Sequence, residues 1–199
     1  SDVYKRQDYA FVNEFLERGL PFNEGDVDAA TVDFDNDGRL DLSLSRDSKY
    51  ESSYSSGDQK SWFGLMHQLE DGTFESIGTE SGINDIDNAE WDRMKGAQNH
   101  AWADIDRDGD LDLLVGGRDQ GGGRPNFLFR NDMGNENRWL TVDVVGDGDA
   151  VNRDAIGTQV RLITESQTLL REKKSSRGMY NSEDTRSLHF GLGDLACSY

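Results

Sequence analysis

Apolar and polar positions alternate with a period of two along most of this chain, the signature of strands with one buried face. Leu40, Leu42 and Leu44 keep that spacing, as do Leu111, Leu113 and Val115. Trp62–Leu69 and Thr73–Ile77 flank Glu70-Asp71-Gly72, whose Asp-Gly pair predicts a hairpin turn. Further strand-like stretches follow at Asn126–Arg130, Leu140–Val145, Gln159–Thr164, Thr168–Glu172 and Leu188–Leu192. Ser81–Asp92 is polar with no period and reads as a surface loop, and Gly121–Gly123 as a connector. Only Ala10–Arg18 has helical spacing, pairing Phe11 with Phe15 and Val12 with Leu16 before Gly19 as a stop. The expected fold class is all-β.

Two segments repeat at an offset of 71 residues: Asp33–Leu44 (DFDNDGRLDLSL) and Asp104–Val115 (DIDRDGDLDLLV). Each is approached by an apolar stretch, Ala29–Val32 in one case and Asn99–Ala103 in the other. Both acidic loops read D-x-D-x-D-G-x-x-D. Ca²⁺ takes six to eight oxygens from carboxylates, carbonyls and water. Carboxylates at positions 1, 3 and 5 of a tight loop converge on one point, and Gly at position 6 permits the turn. The first expected ligand set is Asp33, Asp35, Asp37 and Asp41 with the carbonyl of Arg39. The second is Asp104, Asp106, Asp108 and Asp112 with the carbonyl of Asp110. An EF-hand would need Glu at position 12 and flanking helices. Position 12 is Leu44 or Val115, and the flanks alternate as strands. Four clustered carboxylates repel one another and raise each other's pKa unless a cation intervenes.

Composition narrows the remaining classes. In 199 residues, 39 acidic side chains face 21 basic ones, giving a net charge of −18 and a pI near 4.4. Such a charge repels phosphate backbones and argues against nucleic-acid binding. No apolar run approaches the length of a membrane span. The single cysteine, Cys197, rules out a disulfide framework and a multi-thiolate zinc site. His67, His100 and His189 lie in strand-like contexts without a nucleophile motif and read as structural. Asp147-Gly148-Asp149 reads as a hairpin tip, and Asn152-Arg153-Asp154 as a turn held by Arg–Asp pairing. Lys173-Lys174 with Arg171 and Arg177 reads as a solvated strand edge. No pair of carboxylates stands apart from the metal pattern as a glycosidase would need, and no catalysis is expected.

The two loops with their strands resemble VCBS/FG-GAP repeats, the calcium-loop blades of integrin α-chain propellers and of many secreted bacterial proteins. Asp71-Gly72-Thr73-Phe74, Gly82-Ile83 and Phe127-Leu128-Phe129-Arg130-Asn131 are similar to segments of those repeats. Trp139–Asp194 resembles the ASPIC/UnbV domain through Trp139-Leu140-Thr141-Val142, Asn152–Gly157 and His189–Gly193, with Ala155 where that family usually has Gly. The resemblance implies a partial β-propeller of about two four-stranded blades over 8–135 and a small, truncated β-rich domain over 136–195. Two blades do not close a propeller, so it also implies further blades before residue 8. Residues 1–7, containing DVYKRQ, are expected to be a non-native leader, with any signal peptide outside this chain. The expected function is an extracellular, cell-surface or periplasmic module recognising a protein or glycan. Its two Ca²⁺ sites would be structural, with affinities on the order of 10⁻⁴–10⁻³ M. The alternative is a non-catalytic accessory region of a larger secreted enzyme.

Overall fold

The computed structural model describes residues 11–20, 26–46, 63–83, 97–117, 126–134, 136–165, 167–176 and 183–195. Within them lie eleven strands: β1 (Asp26–Val32), β2 (Asp41–Arg46), β3 (Phe63–Gln68), β4 (Phe74–Ser76), β5 (Ala97–Ala103), β6 (Asp112–Gly117), β7 (Phe127–Phe129), β8 (Arg138–Val142), β9 (Gln159–Ile163), β10 (Thr168–Glu172) and β11 (Leu188–Gly193). The sheets are a four-stranded β1-β2-β3-β4, a three-stranded β5-β6-β7, and the pairs β8/β11 and β9/β10. Every pairing is antiparallel.

The repeat seen in the sequence is a repeat of hairpins. Val32 pairs with Asp41 and Ala30 with Ser43; at the same positions Ala103 pairs with Asp112 and Ala101 with Leu114. Each hairpin shifts register at its far end, at Asp26/Asp28 and at Ala97/Asn99. Each acidic loop is therefore a hairpin connection. The β3–β4 turn forms at Asp71-Gly72 as its sequence predicts: Gly72 has φ +80°, and Leu69 N–H donates to the Thr73 carbonyl at 2.8 Å.

Period-two patterning fills two cores. One joins the two larger sheets through Ala30, Val32, Phe63, Leu65, Trp102, Leu113 and Val115, with Phe127 and Phe129 packed against it. Complete burial of such a side chain contributes about 1.5–3 kcal/mol. The second gathers Leu169, Leu188, Phe190 and Leu192 against Val142, Val144, Val160 and Leu162.

A buried polar network also crosses between the larger sheets. The Ser43 hydroxyl lies 2.8 Å from His100 Nε2 and accepts from Trp102 Nε1 at 3.0 Å, while His100 Nδ1 lies 3.3 Å from Asp28 Oδ2. Hydroxyl, imidazole and carboxylate follow one another as in a nucleophile triad. Yet Ser43 is fully buried, and the Phe63 ring packs edge-on against His100 at 5.1 Å. The network ties β1, β2 and β5 together in the interior.

Three expectations change. Residues 11–20 contain a turn and no helix: Arg18 N–H donates to Glu14 O, Leu20 N–H to Phe15 O, and Gly19 takes φ +76°. Phe11, Val12 and Leu16 are exposed, so the helical spacing packs on nothing among the described residues, and so short a segment does not sustain a helix alone. In the 152–154 turn, Asn152 binds both backbone groups of Ile156, and Asp154 faces Arg186 at 3.5 Å instead of Arg153. The basic stretch is partly buried: Lys173 donates to the Val144 carbonyl at 2.7 Å, and Arg171 turns inward. The 147–149 segment, expected to be a hairpin tip, is a bend without flanking strands, closed by Gly148 N–H donating to the Val151 carbonyl at 2.9 Å with Gly148 at φ +79°. The leader at 1–7, Gly121–Gly123, Arg177, Cys197 and residues 84–92 lie outside the described residues.

Candidate metal centre

The two acidic loops fold alike because the same local bonds form in each. The position-3 carboxylate accepts the N–H of position 5: Asp37 N–H to Asp35 at 3.2 Å, Asp108 N–H to Asp106 at 3.3 Å. The position-5 carboxylate accepts from position 7: Arg39 N–H at 2.7 Å, Asp110 N–H at 3.2 Å. These are Asx turns, in which a short acidic side chain replaces the missing backbone acceptor. Two residues in each loop are left-handed, Asn36 (φ 60°) with Gly38 (φ 93°) and Arg107 (φ 67°) with Gly109 (φ 102°). The position-9 carboxylate fastens the loop to its sheet. Asp41 accepts Phe34 N–H (3.3 Å) and Gln68 N–H (2.8 Å), and Asp112 accepts Ile105 N–H and Asn131 N–H, both at 2.9 Å.

Loop 1 (Asp33–Asp41) is enclosed. Asp33 Oδ2 accepts Gly191 N–H at 3.0 Å and Arg171 Nη2 at 3.2 Å, so β10 and β11 supply both a donor and a counter-charge to position 1. Asn36 bonds His189 Nε2 through its side-chain oxygen (2.5 Å), Gly193 N–H through its carbonyl (2.8 Å) and the Gly109 carbonyl through its amide (3.0 Å). Asn131 and Asn137 cap the Phe34 and Asp35 carbonyls at 2.6 and 2.8 Å. Burial pushes Asp33 up to about 6 against the pull of Arg171, and Asp41 up to about 7. Asp35 is raised by burial and by Asp37 beside it. His67, on β3, places Nε2 3.1 Å from Asp35 Oδ2 and 3.4 Å from Asp37 Oδ2. A cleft of about 290 Å³ beside Asp33 is lined by Val32, Trp102, Arg171 and Leu188 among others.

Loop 2 (Asp104–Asp112) faces outward. Asp106, Arg107 and Asp108 are exposed, and the inner end alone is buried, with Asp110 accepting Gly134 N–H at 3.1 Å. Burial pushes Asp110 up to about 7, and the adjacent Asp108 adds to the rise. Trp139 lies so close over Gly109 that a Cβ there would meet its indole at 1.7 Å.

Three groups of side chains have ligand atoms within 4.8 Å of one another and could hold a metal ion: Asp33, Asp35 and Asp41; Asp35, Asp37 and His67; and Asp104, Asp106 and Asp108. All four loop-1 carboxylates of the sequence-predicted set thus fall into these groups. In loop 2 positions 1, 3 and 5 converge, while Asp112 is engaged with backbone N–H groups. Arg39 directs its guanidinium to Asp37 and to the Gln68 carbonyl, and the Asp110 side chain packs inward. The buried oxygen Asp104 Oδ1 has no hydrogen-bond partner. An unsatisfied buried carboxylate oxygen beside two further carboxylates fits a hard cation.

Sequence reasoning left out His67, Arg171 and the three asparagines. Asn at position 4 of loop 1 carries a signal, since Asn tolerates the left-handed region. Arg171 and His67 reach the loop only through the tertiary fold.

The fold and site define a class: an all-β chain of small antiparallel sheets carrying two structurally equivalent acidic hairpin loops able to hold cations. The family model described as ASPIC and UnbV matches residues 148–197, which include β9, β10 and β11. Strand β8, which pairs with β11, precedes the matched residues. No curated protein matches the chain. No helix among the described residues is long and apolar enough to cross a membrane.

Proposed function

We propose that this chain is a non-catalytic, calcium-stabilised recognition module of an extracellular, cell-surface or periplasmic protein, with a protein or glycan as its partner. On this reading β1–β4 and β5–β7 are propeller-type blades over 8–135, residues 136–195 form the ASPIC/UnbV-like domain, and both calcium ions are structural. The observation that carries it is that both hairpins, equivalent in register, gather three acidic side chains with ligand atoms within 4.8 Å, at positions 1, 3 and 9 in loop 1 and at positions 1, 3 and 5 in loop 2. Calcium would be held in loop 1 by Asp33, Asp35, Asp37 and Asp41 with the Arg39 carbonyl. In loop 2 it would be held by Asp104, Asp106, Asp108 and Asp112 with the Asp110 carbonyl. The ion would neutralise the clustered charge and pin each hairpin, leaving a rigid rim for recognition.

Thermal unfolding in calcium and in chelator tests this. At roughly ten times Kd, each site adds about 1.4 kcal/mol, a rise of several degrees, and magnesium does not reproduce it. Asp37→Ala combined with Asp108→Ala abolishes the effect. Calcium stabilisation that persists in the double variant, or that is absent from the folded wild type, overturns the assignment.

A further inference from the structure

We propose that loop 1 carries a zinc-type site that loop 2 lacks, formed by the carboxylates of Asp35 and Asp37 with the imidazole of His67. The imidazole comes from β3, a different strand from those flanking the loop, and nothing in the nine-residue motif requires it. Its Nδ1 faces Glu75 at 3.5 Å, and its ring packs edge-on against Phe34, with centroids 5.9 Å apart. With the Nδ1 proton directed to Glu75, the Nε2 lone pair points at two carboxylate oxygens. Two carboxylate oxygens at 3.1 and 3.4 Å from Nε2 favour a cation at that nitrogen, either a proton or a metal ion, beside the guanidinium that already reaches Asp37.

The spacing suits the metal. Zinc binds His nitrogen and carboxylate oxygen at about 2.0–2.2 Å, so neighbouring ligand atoms of a tetrahedral site lie about 3.3–3.5 Å apart. A carboxylate on the far ring nitrogen is the outer partner that metal-bound histidines regularly have. One nitrogen with carboxylate oxygens selects a borderline ion such as Zn²⁺ over the hard Ca²⁺, which prefers an all-oxygen shell. Arg39 also touches Asp37 Oδ2. Its Nε is tethered to the Gln68 carbonyl at 2.8 Å, so the guanidinium can yield Asp37 without losing that anchor. Loop 2 has no counterpart, since the chain's other histidines, His100 and His189, bond to Ser43 and Asn36. Zinc and calcium would share Asp35 and Asp37 and exclude each other from loop 1. That competition rests on the calcium reading; the zinc site itself does not.

Cobalt(II) titration of the whole chain, followed by its visible ligand-field bands, tests the site. The wild type should develop bands stronger than those of the aqua ion, and Zn²⁺ should erase them. His67→Gln should lose the bands while its calcium-induced rise in Tm persists. Glu75→Gln, a change at an exposed side chain, should weaken the metal about 10–100-fold without removing it. Identical weak spectra from the wild type and both variants would overturn the proposal and leave His67 as a protonated partner of the loop. Cobalt bands in a protein that calcium fails to stabilise would support the zinc site and discard the calcium reading alone.

Discussion

Loop 1 and loop 2 share a motif, a register and a backbone, yet one is a hub and the other a rim. In loop 1 the position-4 residue is Asn36, completely buried and bonded to His189, Gly193 and Gly109. In loop 2 it is Arg107, exposed. The position-1 carboxylate is ion-paired with Arg171 in loop 1, whereas in loop 2 Asp104 keeps a buried oxygen without a hydrogen-bond partner. The motif thus encodes a local shape, set by Asx turns and two left-handed residues. What that shape does depends on the strands packed around it. Loop 1 holds β10 and β11 against the larger sheets; loop 2 presents carboxylates to solvent.

The sharpest way to break this difference is Gly191→Ala. A Cβ at Gly191 would lie 2.5 Å from the Asn36 backbone and 2.6 Å from Asp33 Oδ2, so β11 could not stay seated on loop 1. Backbone cannot move aside as a flexible side chain can, and a loss of about 3 kcal/mol is expected in denaturant unfolding. Gly109→Ala makes the matching change in loop 2. It meets an indole that is 42% exposed and can swing outward, so it should cost less even with a φ of +102°. Equal losses would mean that loop 1 is no more of a hub than loop 2.

Arg171→Met comes next. It keeps much of the side chain's bulk but leaves the buried Asp33 carboxylate without its cation. Removing one member of a fully buried pair costs about 3–5 kcal/mol. Arg171 is partly accessible, so about 2 kcal/mol is expected. Calcium should restore part of that loss by supplying positive charge at the same carboxylate, and the gap in Tm between variant and wild type should narrow as calcium is added. A gap that calcium leaves unchanged would separate Asp33 from the ion.

How far the sequence reveals this arrangement depends on the range of the interactions involved. Strands β2, β6, β9, β10 and β11 are readable from period two, β3 from its place beside the Asp71-Gly72 turn, and that turn and both acidic loops from residues a few positions apart. The helical spacing at Ala10–Arg18 misleads because spacing describes a face but not whether anything covers it. The inward turn of Arg171 and Lys173 is invisible to composition, since a basic run in an acidic chain looks like a solvated edge. Asp33 and Arg171 are separated by 138 residues, and Asn36 and His189 by 153. The loop motif contains no trace of those partners. His67 is closer at hand, but its bearing on the loop depends on β2–β3 pairing, where Leu42 meets Met66 and the next strand position turns toward Asp35 and Asp37.

The gentlest test is the dependence of stability on pH in chelator, where the buried acids should oppose the usual acid sensitivity of proteins. Asp33 and Asp41 in loop 1 have folded pKa values of about 6 and 7, and Asp110 in loop 2 about 7, all above the ordinary carboxylate value of 3.8. Between 3.8 and those values the folded chain binds more protons than the unfolded one, so each group makes stability fall as pH rises. His189 acts in the opposite sense. Burial, reinforced by Arg171, lowers it from 6.5 to about 4, so the unfolded chain takes up its proton first and stability falls as pH drops through that window. Each group contributes at most about 1.4 kcal/mol per pH unit, and His189 offsets only one of the three acids, so a net fall in stability with rising pH remains. Asp33→Asn and Asp110→Asn separate the loops, the first removing a downward contribution between about pH 4 and 6 and the second one between about pH 4 and 7. On the proposed calcium reading the ion takes the ionised carboxylates, so its stabilising effect should grow over the same interval. A Tm gain from calcium as large at pH 4.5 as at pH 7 would show that these carboxylates are not what the ion binds.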